Sequence, residues 1–299
     1  MPSTNLPQRV AISGASGLIG TALFGHLKSE GHTVQRLVRR KVVAPDEVFW
    51  DPAKGEIDLA ALEGVDAIIH LAGANVGDKR WSKKYRAEIL NSRLLGTTTI
   101  ANAANALKPH VVISSSAIGW YGETGNRAVN EGDRAGDDFL ATVCREWESA
   151  ADSITASRLV KIRTGLVLDS TGGALGKMLP LFKFGLGGKL GNGKQWWSWI
   201  TLHDEINAIC FLLEKNIEGA VNLTSPNPAT NHEFTAALAR ALRRPAILPV
   251  PSLALKLALG GFSTEILGSK RVLPQKLNDA GFTFDYPHLA PALSALVDH

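Results

Sequence analysis

The chain has 299 residues, of which 45% are hydrophobic and 20% charged. That is the composition of an ordinary globular protein, with room for one large domain or a large domain and a smaller lobe. A net charge of +4 is small for this length, and the basic residues cluster only at Arg36 to Lys41 and Arg240 to Arg244, which argues against a nucleic-acid surface. No apolar run is long enough to span a bilayer, and the N-terminal stretch lacks the apolar segment of a signal peptide. The expectation is a cytoplasmic protein with neither nucleic acid nor membrane among its partners. Cys144 and Cys210 lie far apart inside helical patterns and read as buried thiols, and no metal-ligand spacing occurs.

Val10, Ala11 and Ile12 predict a short buried strand. Gly14, Gly17 and Gly20 follow, then a helix to about Glu30, closed by Gly31, and a second strand from Thr33 to Val38. Strand, glycine-rich turn, helix and strand within some thirty residues make the first unit of a dinucleotide-binding fold. The spacing is Gly-x-x-Gly-x-x-Gly. One glycine makes the tight turn, one lets the backbone approach a pyrophosphate, and one lets helix pack on strand. Cofactor contacts are therefore expected from Gly14, Ser16, Gly17, Leu18, Ile19 and Gly20. A purely structural turn is the plain alternative.

At the end of the second strand an NAD site usually carries an acidic residue for the ribose hydroxyl. Arg39, Arg40 and Lys41 stand there instead. A guanidinium grips a 2′-phosphate bidentately, so the pattern predicts NADP(H), with Arg39 and Arg40 as contacts and Arg40 as the sharpest single candidate. The other reading is a solvated basic turn.

Strand and helix keep alternating. Val48 to Pro52 predicts a short strand and Val65 to Gly73 a buried one, with Ala72 and Gly73 small enough to let a cofactor cross its end. His70 in that strand reads as a core histidine or one that steadies a neighbour. A long helix follows over 83–107, carrying Ser92 and the cofactor candidate Arg93. Val111 to Ser116 is the next strand, and its C-terminal end is where ligands meet open parallel sheets. A helix over 137–156 and a strand over 159–168 come next.

Composition then changes. Residues 170–193 hold eight of the glycines that follow the last strand, and Trp196, Trp197 and Trp199 come directly after. This predicts a loop or lid over a pocket, the alternative being that the tryptophans pack a junction between lobes. His203-Asp204-Glu205 reads as a helix start whose acids compensate the dipole, not as metal ligands, because consecutive helical residues diverge. Val221 to Leu223 predicts a strand returning to the main sheet, Asn231 an N-cap, and the region from Pro245 helix pieces broken by proline.

The expected fold is α/β, a doubly wound Rossmann-type parallel sheet with a smaller C-terminal substrate lobe. Residues 1–168, with 200–225 returning, would form the NADP-binding domain; 169–199 and 226–299 would form the substrate lobe and lid.

Gly14 to Gly20, the Ser114-Ser115-Ser116 strand end and Tyr121-Gly122 resemble the extended short-chain dehydrogenase/reductases, the group that includes nucleotide-sugar epimerases. The chain is more closely similar to the atypical subfamily called epimerase family proteins, also labelled cell division inhibitor. That similarity lies at Trp50-Asp51-Pro52, Ser92-Arg93, Ala117 to Gly122, Trp147-Glu148, Gly187 to Gly191, Gln195 to Ile200, and in the proline-rich C-terminal region with Arg244-Pro245 and Gly281-Phe282. It implies a Rossmann domain, NADP(H) and a small substrate lobe.

The wider family joins a serine at the strand end to a Tyr-x-x-x-Lys on the next helix, the lysine lowering the tyrosine pKa. Ser116 matches the serine, but Phe139 and Val143 stand at the tyrosine and lysine positions. Two readings follow. In one, the chain is an NADP-dependent oxidoreductase or epimerase-like enzyme on an unknown small carbonyl or sugar-type substrate, with Ser116 and Tyr121 as catalytic candidates. In the other it binds NADP(H) without turnover, as a sensor or scaffold. A homodimer is left open.

Overall fold

The computed structural model describes residues 8–297. Eight strands form one sheet: β1 (Arg9–Ser13), β2 (Thr33–Val38), β3 (Glu47–Asp51), β4 (Glu56–Ile57), β5 (Ala67–His70), β6 (Val111–Ala117), β7 (Arg158–Thr164) and β8 (Gly219–Leu223). Their order is β8-β7-β6-β5-β1-β2-β3-β4, and every pair is parallel except β3 with β4. The apolar runs of the sequence explain the parallel pairing. β5 is buried at every residue and β1 at four of five, as strands covered on both faces must be.

The covers are helices. Val10, Ile12, Ile69 and Ile113 pack on α1 (Leu18–Ser29) and, later in the chain, on the helix that follows Thr201. Ala11, Ile68 and Val112 face the other way, onto Ile100, Ala101 and Ala104 of α2 (Lys83–Leu107). α3 (Phe139–Ala151) lies beside α2. Truncating a fully buried residue such as Ile69 to alanine would cost about 2–5 kcal/mol. Between β1 and β5 the chain reverses its direction of travel across the sheet, and a crevice opens at the carboxyl ends of those strands. The doubly wound parallel sheet expected from the sequence is what the chain forms.

After β7, α4 (Gly173–Lys183), α5 (Leu202–Glu214), α6 (Asn231–Ala241), α7 (Ser252–Leu259), α8 (Ser263–Leu267), α9 (Gln275–Asp279) and α10 (Leu289–Val297) follow. A second core gathers Leu175, Phe182, Trp199, Phe234, Leu238 and Leu293 from α4, α6, α10 and the strand before α5. Trp199 is fully buried and donates its indole N–H to the Asn227 carbonyl at 3.1 Å, while Trp197 meets Phe234 edge-on at 5.2 Å. The tryptophans therefore pack a junction.

The glycine-rich run also differs from a free lid. Half of it is α4, and the rest is stitched to 245–250: Val250 N–H donates to Lys189 O and Gly191 N–H to Val250 O, both at 2.9 Å. A Cβ on Gly188 would sit 1.8 Å from the Leu248 carbonyl oxygen. Glycine is there because two backbones touch, not because the segment must swing. The N-cap of α6 is Thr230, not Asn231: Thr230 and Glu233 form a reciprocal capping box. Cys144 is buried and Cys210 half-buried, and both are free thiols. Among the described residues no helix is long and apolar enough to cross a membrane.

Candidate functional site

The three glycines of the first turn do different work. Gly14 has φ +72°, and a Cβ there would lie 2.8 Å from the Leu71 carbonyl carbon. A Cβ on Gly20 would lie 2.2 Å from the Gly14 oxygen. Both are demanded by packing alone. Gly17 is not: its φ is −79°, and a Cβ would meet only the Gly14 oxygen at 3.4 Å. Gly17 is the glycine the fold itself does not need, and it is exposed, with Ser16, at the start of α1. No side chain caps α1 and its first turn holds no acid. Its leading N–H groups and the positive end of its dipole face the crevice, a ready anion site that Leu18, Ile19 and Gly20 share.

Ser13 fastens this turn to β5. Its Oγ accepts from the N–H of Leu71 (3.2 Å) and Ala72 (3.4 Å) and lies 2.6 Å from His70 Nδ1. With its lone pairs taken, Ser13 donates to Nδ1, which leaves the His70 proton on Nε2. Burial, then the nearby Arg93 charge, pushes the imidazole down to about 4, so it is neutral. His70 is fully buried and serves the turn from below.

At the end of β2 the basic residues divide. Arg40 makes a two-pronged pair with Glu47, donating Nη1 to Oε2 at 2.9 Å and Nη2 to Oε1. Glu47, with a side chain only 2% exposed, also accepts the Val43 N–H at 3.0 Å and lies 3.5 Å from Arg36. The Arg40 hydrogen bond holds the Glu47 carboxyl down at about 2. Arg36 is further tied to Asp46 at 2.9 Å. Arg39 is exposed and pairs with no described acid. The structure thus commits Arg40, the residue the sequence favoured for a phosphate, to a glutamate brought alongside by the pairing of β2 with β3. Arg39 and Lys41 are the open cations, Arg39 the nearer to the strand end.

Beyond β5, Ala72 and Gly73 lie opposite the glycine turn, and Ser92-Arg93 on α2 fixes the loop they begin. The Ala74 N–H donates to Ser92 Oγ and Arg93 Nη1 donates to the Ala74 oxygen, each at 3.0 Å. The Arg93 guanidinium rests on the Trp147 ring at 4.8 Å, and a Cβ on Gly73 would come within 3.4 Å of its Cζ. Burial pushes the Arg93 pKa down.

Ser116 and Tyr121 sit where the sequence placed them, at and just after the end of β6, but both are buried. Ser116 Oγ donates to Glu148 Oε1 at 2.7 Å. Arg163 grips the same carboxylate with Nε at 2.8 Å and Nη2 at 2.9 Å, and donates Nη1 to the Tyr121 oxygen at 3.0 Å. Tyr121 donates in turn to Asn222 Oδ1 at 2.7 Å. Burial pushes the phenol up to about 12. Both hydroxyl protons are spent inside the protein, so the expected role of Tyr121 as proton donor does not fit this geometry. Glu148, Arg163 and Asn222 were not among the expected site residues. Their signal was a charged side chain amid the apolar run of β7 and a register that sets Ser116 beside Arg163 and Arg163 beside Asn222. Phe139 and Val143 pack in an apolar cluster with Tyr85 and Ile89. Ser115, on the opposite face, is half-buried, and its hydroxyl has no hydrogen-bond partner among the described residues.

The start of α5 carries the two expected acids, Asp204 and Glu205, in its first turn. Thr201 is the cap, accepting the Asp204 N–H at 3.0 Å. Asp204 uses its two oxygens on the N–H groups of Asp285 (2.9 Å) and Tyr286 (3.0 Å), and His203 pairs with Asp285 at 2.6 Å. His203, Asp204 and Asp285 lie close enough to hold an ion, but Asp204 is already spent on backbone, which makes the group a clasp. Glu205 is fully buried; Thr164 Oγ1 donates to its Oε1 at 2.8 Å, and Oε2 has no partner among the described residues. Burial pushes this carboxyl up to about 8.

Comparison with known proteins agrees with this layout. Residues 10–139 match the NAD dependent epimerase/dehydratase family and residues 250–296 a domain of unknown function. An epimerase family protein of Mycobacterium tuberculosis is 44% identical over 288 residues, 95% of this chain and 96% of its own. The crystal structure of the human epimerase family protein SDR39U1 with NADPH superposes with a TM-score of 0.90 at 32% identity, over 97% of this chain and 99% of that one. A nucleoside-diphosphate sugar epimerase of Corynebacterium glutamicum gives 0.77 at 34% identity, over 97% of this chain and 58% of the other.

Proposed function

The chain belongs to the epimerase family proteins, and we propose that it is an NADP(H)-dependent oxidoreductase or epimerase-like enzyme acting on a small carbonyl or sugar-type substrate. The observation that carries the cofactor is Gly17, a glycine with no packing reason to be one, set at an uncapped helix start. A backbone kept bare there suits a pyrophosphate. The human relative crystallised with NADPH supports the choice of cofactor, and the Corynebacterium relative supports a sugar-type substrate.

Residues fit the group along its length. Gly14, Ser16, Gly17, Leu18, Ile19 and Gly20 would hold the pyrophosphate. Arg39 would take the 2′-phosphate, steadied by the Arg40–Glu47 pair beside it. Ala72, Gly73 and Arg93 would border the rest. When bound, NADP(H) supplies or accepts a hydride. Ser116 and Tyr121, through Glu148 and Arg163, hold the end of β6 in place, and the hydroxyl left free there to meet a substrate oxygen is that of Ser115. The alternative, binding without turnover, is favoured by one observation: the positions of the family's acid/base pair are filled by Phe139 and Val143, packed as core.

Thermal shifts with NADPH, NADP, NADH and NAD in parallel test the cofactor. A ligand at a hundredfold excess over Kd stabilises by about 2.7 kcal/mol. No rise with any of the four would reduce the glycine turn to a structural feature. NADPH oxidation against a panel of carbonyl compounds then separates the two readings, since binding with no turnover leaves the sensor or scaffold.

A further inference from the structure

Residues 170–203 and 234–264 each contain no acidic residue. Between Asp169 and Asp204 the only charged side chains are Lys177, Lys183, Lys189 and Lys194, with His203 at the end. Between Glu233 and Glu265 they are Arg240, Arg243, Arg244 and Lys256. All eight of these lysines and arginines are exposed, and none pairs with a described acid.

The fold puts the two stretches side by side. Gly187 O accepts the Leu248 N–H at 3.3 Å, Lys189 O accepts the Val250 N–H at 2.9 Å, and a Cβ on Gly185 would touch Pro245 at 3.8 Å. α7 begins two residues later, with Ser252 Oγ 3.0 Å from where a Gly191 Cβ would be. The paired stretches are as apolar as they are basic: Leu181, Phe184, Leu186, Ile247, Leu253 and Leu257 are all more than half exposed, Phe184 to 80%. Only Leu255 of α7 is buried. A monomer rarely leaves so many large apolar side chains together in water.

We propose that this face docks on an anionic membrane surface. Exposed leucines and a phenylalanine in two backbone-paired stretches, whose unpaired lysines and arginines are interrupted by no acid, match a layer that is negative outside and apolar beneath. Nothing here spans the bilayer. The proposal departs from the expectation that no membrane is a partner, which rested only on the lack of a spanning run.

The test is flotation of the full-length protein with vesicles of phosphatidylcholine alone and of phosphatidylcholine with phosphatidylglycerol. Binding is expected only to the anionic vesicles, weakening with salt. The double variant Leu253→Glu, Leu257→Glu should lose at least about tenfold in partition, as the burial of each leucine is worth roughly that. Its thermal shift with NADPH should stay that of the parent, which shows a folded protein. No flotation with anionic vesicles at low salt would overturn the proposal. So would a parent dimer that this variant turns into a monomer, because the face would then belong to a second copy.

Discussion

Glu47, the first residue of β3, gives both its carboxylate oxygens to the guanidinium of Arg40, which lies just beyond the end of β2. The carboxylate that would repel a 2′-phosphate is thereby neutralised, and the neighbouring Arg39 is left to attract one. Arg39→Ala should weaken NADPH by the worth of a charge-assisted phosphate contact, roughly 1.5–3 kcal/mol, and leave NADH almost unchanged. Arg40→Ala should lower the melting temperature and weaken NADPH more than NADH, because Glu47 would keep only Arg36 and the Val43 N–H beside it and its charge would meet the 2′-phosphate. Titrations of the two variants with both cofactors decide it. Selective loss of NADPH in Arg40→Ala, with Arg39→Ala like the parent, would return the phosphate to Arg40.

The glycines of the first turn should separate by substitution. Gly20→Ala places a methyl 2.2 Å from a carbonyl oxygen and should prevent folding or cost several kcal/mol. Gly17→Ala has room and an ordinary φ, so the protein should fold with a melting temperature near the parent's. It should nonetheless lose the shift caused by NADPH. A Gly17→Ala protein that still responds to NADPH in full would mean that no phosphate approaches that backbone.

Tyr121 joins Arg163 to Asn222 and exposes almost nothing. Removing its hydroxyl leaves two buried polar partners short of a bond, so Tyr121→Phe should cost about 1–3 kcal/mol in urea unfolding. Glu148→Ala, which strands a buried guanidinium, should cost more, about 3–5 kcal/mol. The converse result, a Tyr121→Phe protein of unchanged stability that has lost a turnover the parent shows, would restore the tyrosine as the acid or base.

Much of this was legible in the chain because it is local. The apolar runs of β5 and β6 have no polar face to show solvent, which fixes them inside a parallel sheet, and the glycine spacing marks the first turn without any tertiary information. The rest is set by pairing across distance. Glu47 is seven residues from Arg40 and reaches it only because β3 lies beside β2. The Ser116 network draws on α3, β7 and β8, Glu148 lying 32 positions after Ser116 and Asn222 101 positions after Tyr121. A serine at a strand end looks the same in sequence whether it points to the cleft or to the helix beneath. The hydrogen bond to Glu148 settles that here, turning Ser116 toward α3 and so placing Ser115 on the opposite face. The glycines after β7 misled for a related reason: freedom and close contact both call for glycine.

Two buried titratable groups, His70 and Glu205, give opposite pH dependences. His70 is held at about 4, below its ordinary 6.5, so between those values the unfolded chain takes up a proton that the folded one refuses. Stability from this group is full above 6.5 and is lost as the pH falls toward 4. Glu205 is raised to about 8 from 4.5, so across that window the folded chain keeps a proton that the unfolded one has released. Its effect is a loss of stability as the pH rises from 4.5 to 8. Between 4.5 and 6.5 the slopes oppose each other and stability should change little, while from 6.5 to 8 Glu205 acts alone and stability should fall. Glu205→Gln should remove that fall, leaving the variant the more stable by up to about 5 kcal/mol above pH 8 and little different below pH 4.5. Urea midpoints of parent and variant across the range give the answer. Parallel curves would mean that Glu205 titrates normally, through water that reaches its second oxygen.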